Sequence, residues 1–309
     1  MGRVTDSIFY KQGERIKGYW GVEPRFSVRF AIDSLTSLKA SYTHNYQYIH
    51  QVALSTISLP TDAWIISNEL VKPQIGNQYS LGVYRNFLNN MLETSIEVYF
   101  KNMKNLTEYR EGYSPFTEIT SGLEYQYTQG TGYGYGIELF LNKTKGKFTG
   151  WIGYTLSWAK RKFPEINGGK EFFAKNDRRH DISIMLSYEI IPNVNTSLVW
   201  VYATGNTMTI PVGFYFLGYN LITEYSEKNA YRIAPYHRLD ISVNWIIKRT
   251  PRFEHALNFS VYNVYNRRNP FFISINTQMN NESFSLNNTA YQMSLFPIMP
   301  SISWNFKFK

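Results

Sequence analysis

The chain contains no cysteine in 309 residues, which removes disulfide frameworks and thiolate metal sites and leaves its compartment open. It has no apolar run near the roughly 18 residues that a membrane-spanning helix needs. A membrane-embedded form of it would therefore cross as a closed β-barrel. Charged residues are only 18% of the chain, and mean hydropathy is -0.34, a balance that fits neither a disordered chain nor a helical membrane protein. Lys and Arg (32) outnumber Asp and Glu (23) for a net +9, but they form no basic helix or tract. The excess reads as a basic surface without a single anionic partner, and nucleic acid is not expected. Residues 1–15 lack an apolar stretch and a small-residue cleavage site, so they do not read as a signal peptide.

Catalytic signatures are missing as well. No nucleophile elbow, phosphate loop or zinc-protease motif occurs, and no catalytic residue or cofactor is expected. The run Gly130-Thr131-Gly132-Tyr133-Gly134-Tyr135-Gly136 superficially resembles a nucleotide loop, yet a period-2 segment follows it instead of a helix. It reads as a strand start that relieves crowding against a neighbour. Five histidines, at 44, 50, 180, 237 and 255, lack tight ligand spacing, so no metal site is expected; His180 and Asp181 are adjacent and point to opposite faces of a strand.

What the chain has in abundance is aromatic residues, 17% with 25 Tyr, 21 Phe and 7 Trp, which favour pleated surfaces and membrane interfaces. Its last nine residues alternate strictly: Ile302, Trp304, Phe306 and Phe308 against Ser301, Ser303, Asn305 and Lys307. Such a strand has one greasy and one wet face, like the closing strand of an outer-membrane barrel. The same period gives eleven segments: residues 23–32, 38–50, 79–87, 92–106, 133–141, 148–160, 181–190, 196–204, 238–247, one from 254 until its alternation slips near 263–270, and one from about Tyr291 to the end, bent at Pro297 and Pro300. In the ninth, only Ile246 breaks the pattern.

Connections alternate in length. Short turns follow the odd segments, at 33–37, 88–90, 142–146, 192–193 and 249–253, and long ones follow the even segments, at 51–78, 107–132, 161–178, 205–235 and about 278–290. Outer-membrane barrels have this asymmetry, with short periplasmic turns and long extracellular loops. The expected fold class is all-β, an antiparallel transmembrane β-barrel of about eleven strands. An odd number cannot close an antiparallel barrel, so the expectation is half of a wall of about 22 strands, the size of the plugged transporters. Residues 1–22 then read as the end of an extracellular loop or a preceding strand, and 23–309 as barrel.

Several stretches resemble the TonB-dependent outer-membrane receptors, in particular the type common in Bacteroidetes, over nearly the whole chain. They are Phe259-Ser260-Val261-Tyr262-Asn263-Val264-Tyr265-Asn266-Arg267-Arg268-Asn269-Pro270, similar to the family's penultimate-strand motif, and Leu295-Phe296-Pro297-Ile298-Met299-Pro300 before the last strand. Arg178-Arg179-His180-Asp181, Leu59-Pro60-Thr61-Asp62-Ala63-Trp64 and Lys72-Pro73-Gln74 are similar to further stations of the same barrel. The resemblance implies the carboxy-terminal half of a 22-stranded barrel in the bacterial outer membrane. It implies as partners membrane lipid and lipopolysaccharide, an amino-terminal barrel half with its plug, the energy-transducing TonB complex reached through that region, and a small nutrient ligand. The plug and the TonB-contacting segment have no counterpart here, so gating and energy coupling are not carried over to this chain. Trp304, Phe306 and Phe308 would form the barrel-assembly signal, although Lys309 follows where the family ends on an aromatic.

The ligand-facing candidates are the long-loop aromatics Trp64, Tyr109, Tyr113, Phe116, Phe172, Phe173, Tyr215, Phe216, Tyr219 and Tyr225, which either stack on a ligand or pack loops and anchor at the interface. The lumen or plug-contact candidates are Arg178, Arg179 and Asp181, with Arg238 and Asp240 on the polar face of the ninth segment. Together with Asp177, the first three form either a plug contact or an ion-paired rim. The rival functional classes are a non-transporting surface barrel or adhesin, and a soluble β-rich carbohydrate-binding module.

Overall fold

The computed structural model describes residues 11–14, 17–52, 63–110, 126–218, 220–280 and 285–308. Along them run twenty strands: β1 (Arg25–Ala31), β2 (Thr36–Gln47), β3 (Ile49–Val52), β4 (Ala63–Ile66), β5 (Gln74–Phe87), β6 (Leu92–Tyr109), β7 (Tyr127–Lys143), β8 (Phe148–Lys162), β9 (Phe172–Phe173), β10 (His180–Ile191), β11 (Val194–Ala203), β12 (Thr207–Met208), β13 (Pro211–Leu217), β14 (Asn220–Tyr225), β15 (Tyr231–Arg232), β16 (Tyr236–Arg249), β17 (Phe253–Tyr262), β18 (Phe272–Asn280), β19 (Ser285–Met293) and β20 (Met299–Phe308). Eleven of them form one antiparallel wall in the order β1-β2-β5-β6-β7-β8-β10-β11-β16-β17-β20, with β9 added beside β8. Among the described residues β1 pairs only β2 and β20 pairs only β17, so the sheet is open along both outer edges.

Register carries the two-faced pattern across the wall. One row runs Ala40, Leu81, Val98, Ile137, Leu156, and the row one residue away runs Lys39, Gly82, Glu97, Glu138, Thr155. Side chains alternate across a strand, so a single-residue slip would exchange the two sets. The apolar row does not face a protein core: Leu81 is 55% exposed, Ile96 56% and Ile302 70%. An apolar band of that extent on a sheet needs a lipid cover, and a soluble sandwich would have buried it.

Most of the buried apolar residues gather instead at the long-connection end, Ile246 and Ala256 beside a tight turn being exceptions. One cluster is Val52, Ile65, Val71, Tyr109 and Tyr127, and the other is Leu106, Phe163, Ile166 and Phe172 with Met103 against it. Hairpins β3-β4, β13-β14 and β18-β19 and the small β12-β15 pair all belong to long connections. The opposite end is made of tight turns: Asp33 accepts the Leu35 and Thr36 N–H groups at 2.7 Å each, and the bond from Leu35 holds its carboxyl below the usual range. Asn193 takes φ 77° between β10 and β11, a left-handed turn that Asn tolerates.

Several boundaries differ from the sequence reading, and the third segment already begins at Gln74. The second segment ends at Gln47, and Ile49 begins a separate hairpin strand. The final strand begins at Met299; Tyr291 lies in β19, because the alternating run before Pro297 pairs with β18. The glycine run lies inside β7, whose first residue is Tyr127. A Cβ on Gly132 would stand 2.6 Å from Leu106 Cδ1, and one on Gly136 would stand 2.7 Å from the Leu156 carbonyl and 2.9 Å from the Tyr99 hydroxyl. Close approach of neighbouring strands is thus the reason for glycine here. Gly136→Val is expected to lower stability by about 1–3 kcal/mol through overpacking, read as a lower urea midpoint in detergent; an unchanged midpoint contradicts this reading.

Candidate functional site

The loop end is organised around Asp177, whose side chain is fully buried. Oδ1 accepts the Ala159 N–H at 2.7 Å, and Oδ2 pairs with the Arg232 guanidinium and, at 3.6 Å, with Arg179. Arg232 Nη1 also donates to the carbonyls of Asp177 and, at 2.7 Å, Gly205. Arg179 Nη1 donates to the Ser157 carbonyl at 2.8 Å, and its guanidinium lies over Trp158 at 4.4 Å and Phe173 at 5.7 Å. Thr207 Oγ1 donates to the Ala174 carbonyl at 2.8 Å, and Asn229 Nδ2 to the Phe173 carbonyl at 2.8 Å. A buried carboxylate is tolerable only with such complete pairing. The consequence is mechanical: the β8-β10 connection and the β11-β16 connection are joined into one body on the end of the wall.

The charge cluster read from the sequence therefore divides. Asp177 and Arg179 belong to the buried knot. Arg178 points outward, donating from Nε to Asn206 Oδ1 at 3.0 Å and standing 3.7 Å from Asp181. Arg238 and Asp240 come together on the lumen face of β16. Arg238 Nε donates to Asp240 at 2.9 Å and Nη1 to the Tyr236 and Tyr262 hydroxyls at 2.8 and 2.6 Å. Asp240 Oδ1 accepts the N–H of buried Asn263 at 2.9 Å, and Asn263 Nδ2 reaches the Phe296 carbonyl at 3.2 Å. That asparagine, at φ 54°, ends β17 and fastens the turn to the wall.

The aromatic candidates are not equivalent. Trp64, Tyr215 and Tyr225 are exposed on β4, β13 and β14. Tyr109 is buried with its ring 5.0 Å from that of Tyr127, and Phe172 is buried 6.0 Å from Phe163. Phe173 is half-buried beneath Arg179 and Arg232. Phe216 contributes its backbone to β13, and Tyr113, Phe116 and Tyr219 lie outside the described residues. Trp304, Phe306 and Phe308 are exposed on the apolar face of β20, where Trp304 and Phe306 stand 4.6 Å apart and His255 and Phe253 of β17 join them.

Sequence reasoning passed over Arg232, Trp158 and a lumen group on β2 and β5 to β7. There the Tyr84 hydroxyl donates to Glu97 at 2.6 Å, Lys39 Nζ lies 4.0 Å over the Tyr84 ring, and Glu97 is paired in register with Glu138. The alternation that placed Glu97 opposite Val98 was the available signal for these. No group of three or more His, Asp or Glu side chains with metal-site geometry occurs among the described residues.

Asp177→Ala would leave two guanidinium groups without a counter-charge, at a local cost of about 3–5 kcal/mol. Amide exchange should accelerate at residues 172–179 and 205–207 together; unchanged protection contradicts the coupling. His50, buried in β3 with Nε2 2.9 Å from Ser67 Oγ, has its imidazole pushed below the ordinary 6.5 by desolvation. The fold therefore holds it neutral, while an opened hairpin takes up a proton below about 6.5. Protection of β3-β4 should be full above that pH and fall as pH drops below it, and His50→Gln should abolish the dependence. Equal protection at pH of about 7.5 and 5.5 would exclude it.

The sequence matches the family model described as TonB dependent receptor-like, beta-barrel, over residues 3–266. Similar solved structures include the pyoverdine outer membrane receptor FpvA from Pseudomonas aeruginosa PAO1 (TM-score 0.56, 16% identity, 92% of this chain and 36% of that one). The FrpB iron transporter from Neisseria meningitidis (0.54, 13%, 92% and 39%) and the ferric-catecholate import receptor Fiu from E. coli K12 (0.53, 12%, 91% and 34%) are similar too. Identities this low show a shared fold, and the chain spans about a third of the length of each. No curated protein sequence matches it. With a wall paired as in these barrels and a family match over most of its length, the chain belongs to the TonB-dependent receptor β-barrel family, whose members are outer-membrane receptors and transporters rather than enzymes.

Proposed function

We propose that the chain is the carboxy-terminal barrel portion of an outer-membrane receptor for energy-dependent uptake of a small nutrient. It would supply wall and about five extracellular loops, with residues 1–22 as the end of a loop or preceding strand. The observation that carries the reading is the asymmetry of the two ends: five tight turns at one, and at the other hairpins on a cross-braced base with Trp64, Tyr215 and Tyr225 exposed. Rigid aromatics on a braced base offer contact area at little entropic cost on binding. Loop capture would be followed by rearrangement of a plug in the lumen, powered through the TonB complex. Arg238 and Asp240, and Arg178 and Asp181 at the rim, are the charged groups proposed to meet that plug. The sequence stations around Asn263 and Pro297 support the Bacteroidetes type.

Siderophores, haem, cobalamin, glycans and peptides all remain as cargo classes. Ferric chelates come first for testing, because FpvA, FrpB and Fiu are described by pyoverdine, iron and ferric-catecholate import. Radiolabelled uptake should be compared in cells with and without the gene, before and after an uncoupler. The reading requires one cargo class whose uptake depends on both gene and membrane energy. Trp64→Ala combined with Tyr215→Ala should weaken its capture on the order of tenfold or more, at about 1 kcal/mol or more per aromatic anchor. Uptake indifferent to the uncoupler would favour a passive or non-transporting barrel.

A further inference from the structure

The β6-β7 hairpin runs past the end of the wall and changes character there. Up to Lys104 the lumen side chains of β6 include Glu97, Tyr99 and Met103, opposite Glu138, Gly136 and Gly132 of β7. Asn105, at φ 57°, is an extra residue without a register partner on β7, and beyond it Leu106 and Glu108 take the lumen side, opposite Gly130 and Thr128. A β-bulge re-aims side chains in this way. Below the bulge the outer face is bare, with Tyr135, Ile137 and Leu139 exposed, whereas above it Leu106, Thr107, Tyr109, Gln126, Tyr127 and Thr128 are all buried.

The two faces of this extension are covered by different connections. On the lumen side Phe163, Ile166 and Phe172, from the connection between β8 and β10, pack against Leu106 and Met103, and a Cβ on Gly130 would stand 2.5 Å from Phe163 Cδ1. On the outer side Tyr109 and Tyr127 pack with Val52 and Ile65 of the β3-β4 hairpin and with Val71. Gln129 fastens the same side, its Nε2 donating to the Lys72 carbonyl at 2.9 Å and its Oε1 accepting the Lys72 N–H at 3.1 Å. Glu108 ties in a third connection: Oε2 stands 3.5 Å from Arg161 Nη1 on β8, and Oε1 4.0 Å from Lys228 Nζ between β14 and β15. The Lys228 N–H in turn donates to Asn167 Oδ1 at 3.1 Å, and Arg110 Nε stands 3.1 Å from Glu165.

We propose that the extension is a relay that makes the long connections lose and regain order as one unit. A two-stranded hairpin by itself is marginally stable in water, so this one keeps its shape only while both covers are seated. Side chains of the two faces alternate along the same strands, so a hairpin that frays on losing one cover withdraws the seat of the other. Order at the outer β3-β4 hairpin and order over the lumen mouth are therefore linked through strands that neither cover belongs to. Asp177 joins two connections directly; the relay adds the β3-β4 hairpin from the opposite face. For capture, which rests on the receptor reading above, the consequence is that a ligand ordering one connection spares part of the entropy of ordering the rest.

Hydrogen exchange of the full-length protein in detergent tests the relay without any ligand, so its failure is separate from a failure of energy-dependent uptake. With urea rising below the unfolding range of the wall, residues 49–52, 63–66, 106–109, 127–130 and 163–172 should lose protection at one urea concentration, as a single cooperative unit does. I65A and V71A act on the outer face, and each should speed exchange at 163–172 by about threefold or more, the coupling expected of sites that share a partner. E108Q acts on the lumen face and should speed exchange at 226–232 and at 63–66 alike. I66A, at an exposed position on β4, should leave 163–172 unchanged. Heat-modifiable migration checks assembly of each variant, and the urea series of the unsubstituted protein decides the matter if a variant fails to assemble. Loss of protection at separate urea concentrations, or effects confined to the face that carries the substitution, overturns the relay.

Discussion

In hydrocarbon no water is available to satisfy a backbone N–H or C=O, so every such group has to find its partner in the neighbouring strand. The wall meets that demand with nine interior strands paired on both sides, and the same pairing decides where every side chain points. Because residues alternate at a period of two, the ladder that satisfies the backbone also separates lipid from lumen. Val98 meets Leu81 and Ile137, while Glu97 meets Gly82 and Glu138. The glycines of β7 follow from the same constraint, since close strands leave no room beside Tyr99 and the Leu156 carbonyl. At β20 the outer edge accommodates Pro300, which pairs with Val261 and has no N–H to offer a further strand.

Beyond the band the rules change, because water and side chains share the task of satisfying polar groups. Apolar burial moves into the loop bases, and charge is buried where it can be surrounded. Asp177 shows the consequence: a carboxylate that accepts a wall N–H and faces two guanidinium groups makes two connections behave as one. The exposed Tyr215 and Tyr225 belong to the β11-β16 connection that this knot holds, and Trp64 belongs to the β3-β4 hairpin, whose base is the apolar cluster of Val52, Ile65, Val71, Tyr109 and Tyr127. The division between a paired wall, a braced base and exposed tips is what a capture surface on a barrel requires.

The wall was legible in the sequence because its signal is local. Eleven period-2 segments and their alternating connections correspond to the eleven strands in order. Even the exception was informative: Ile246 faces inward and is buried opposite Ala256, where the register shifts. What the sequence hid depends on distant partners. Asp177 stood out as part of a charged stretch, but Arg232 lies 55 residues away and carries no local mark of the pairing. Tyr109 and Trp64 read alike as loop aromatics, and only the packing of Val52, Ile65 and Val71 decides that one is buried. The start of β20 was blurred because alternation through Tyr291, Met293 and Leu295 continues smoothly from a hairpin that belongs to the loop end.

The central claim is that one face of this sheet meets lipid and the other does not. Spin labels placed singly at Ile96, Glu97, Val98, Tyr99 and Phe100 of the protein in bilayers test it through collisions with oxygen, which concentrates in hydrocarbon. High oxygen accessibility at 96, 98 and 100 and low accessibility at 97 and 99 is the expected result. Accessibility that is uniform along the five positions, or that alternates with the opposite phase, would contradict the account.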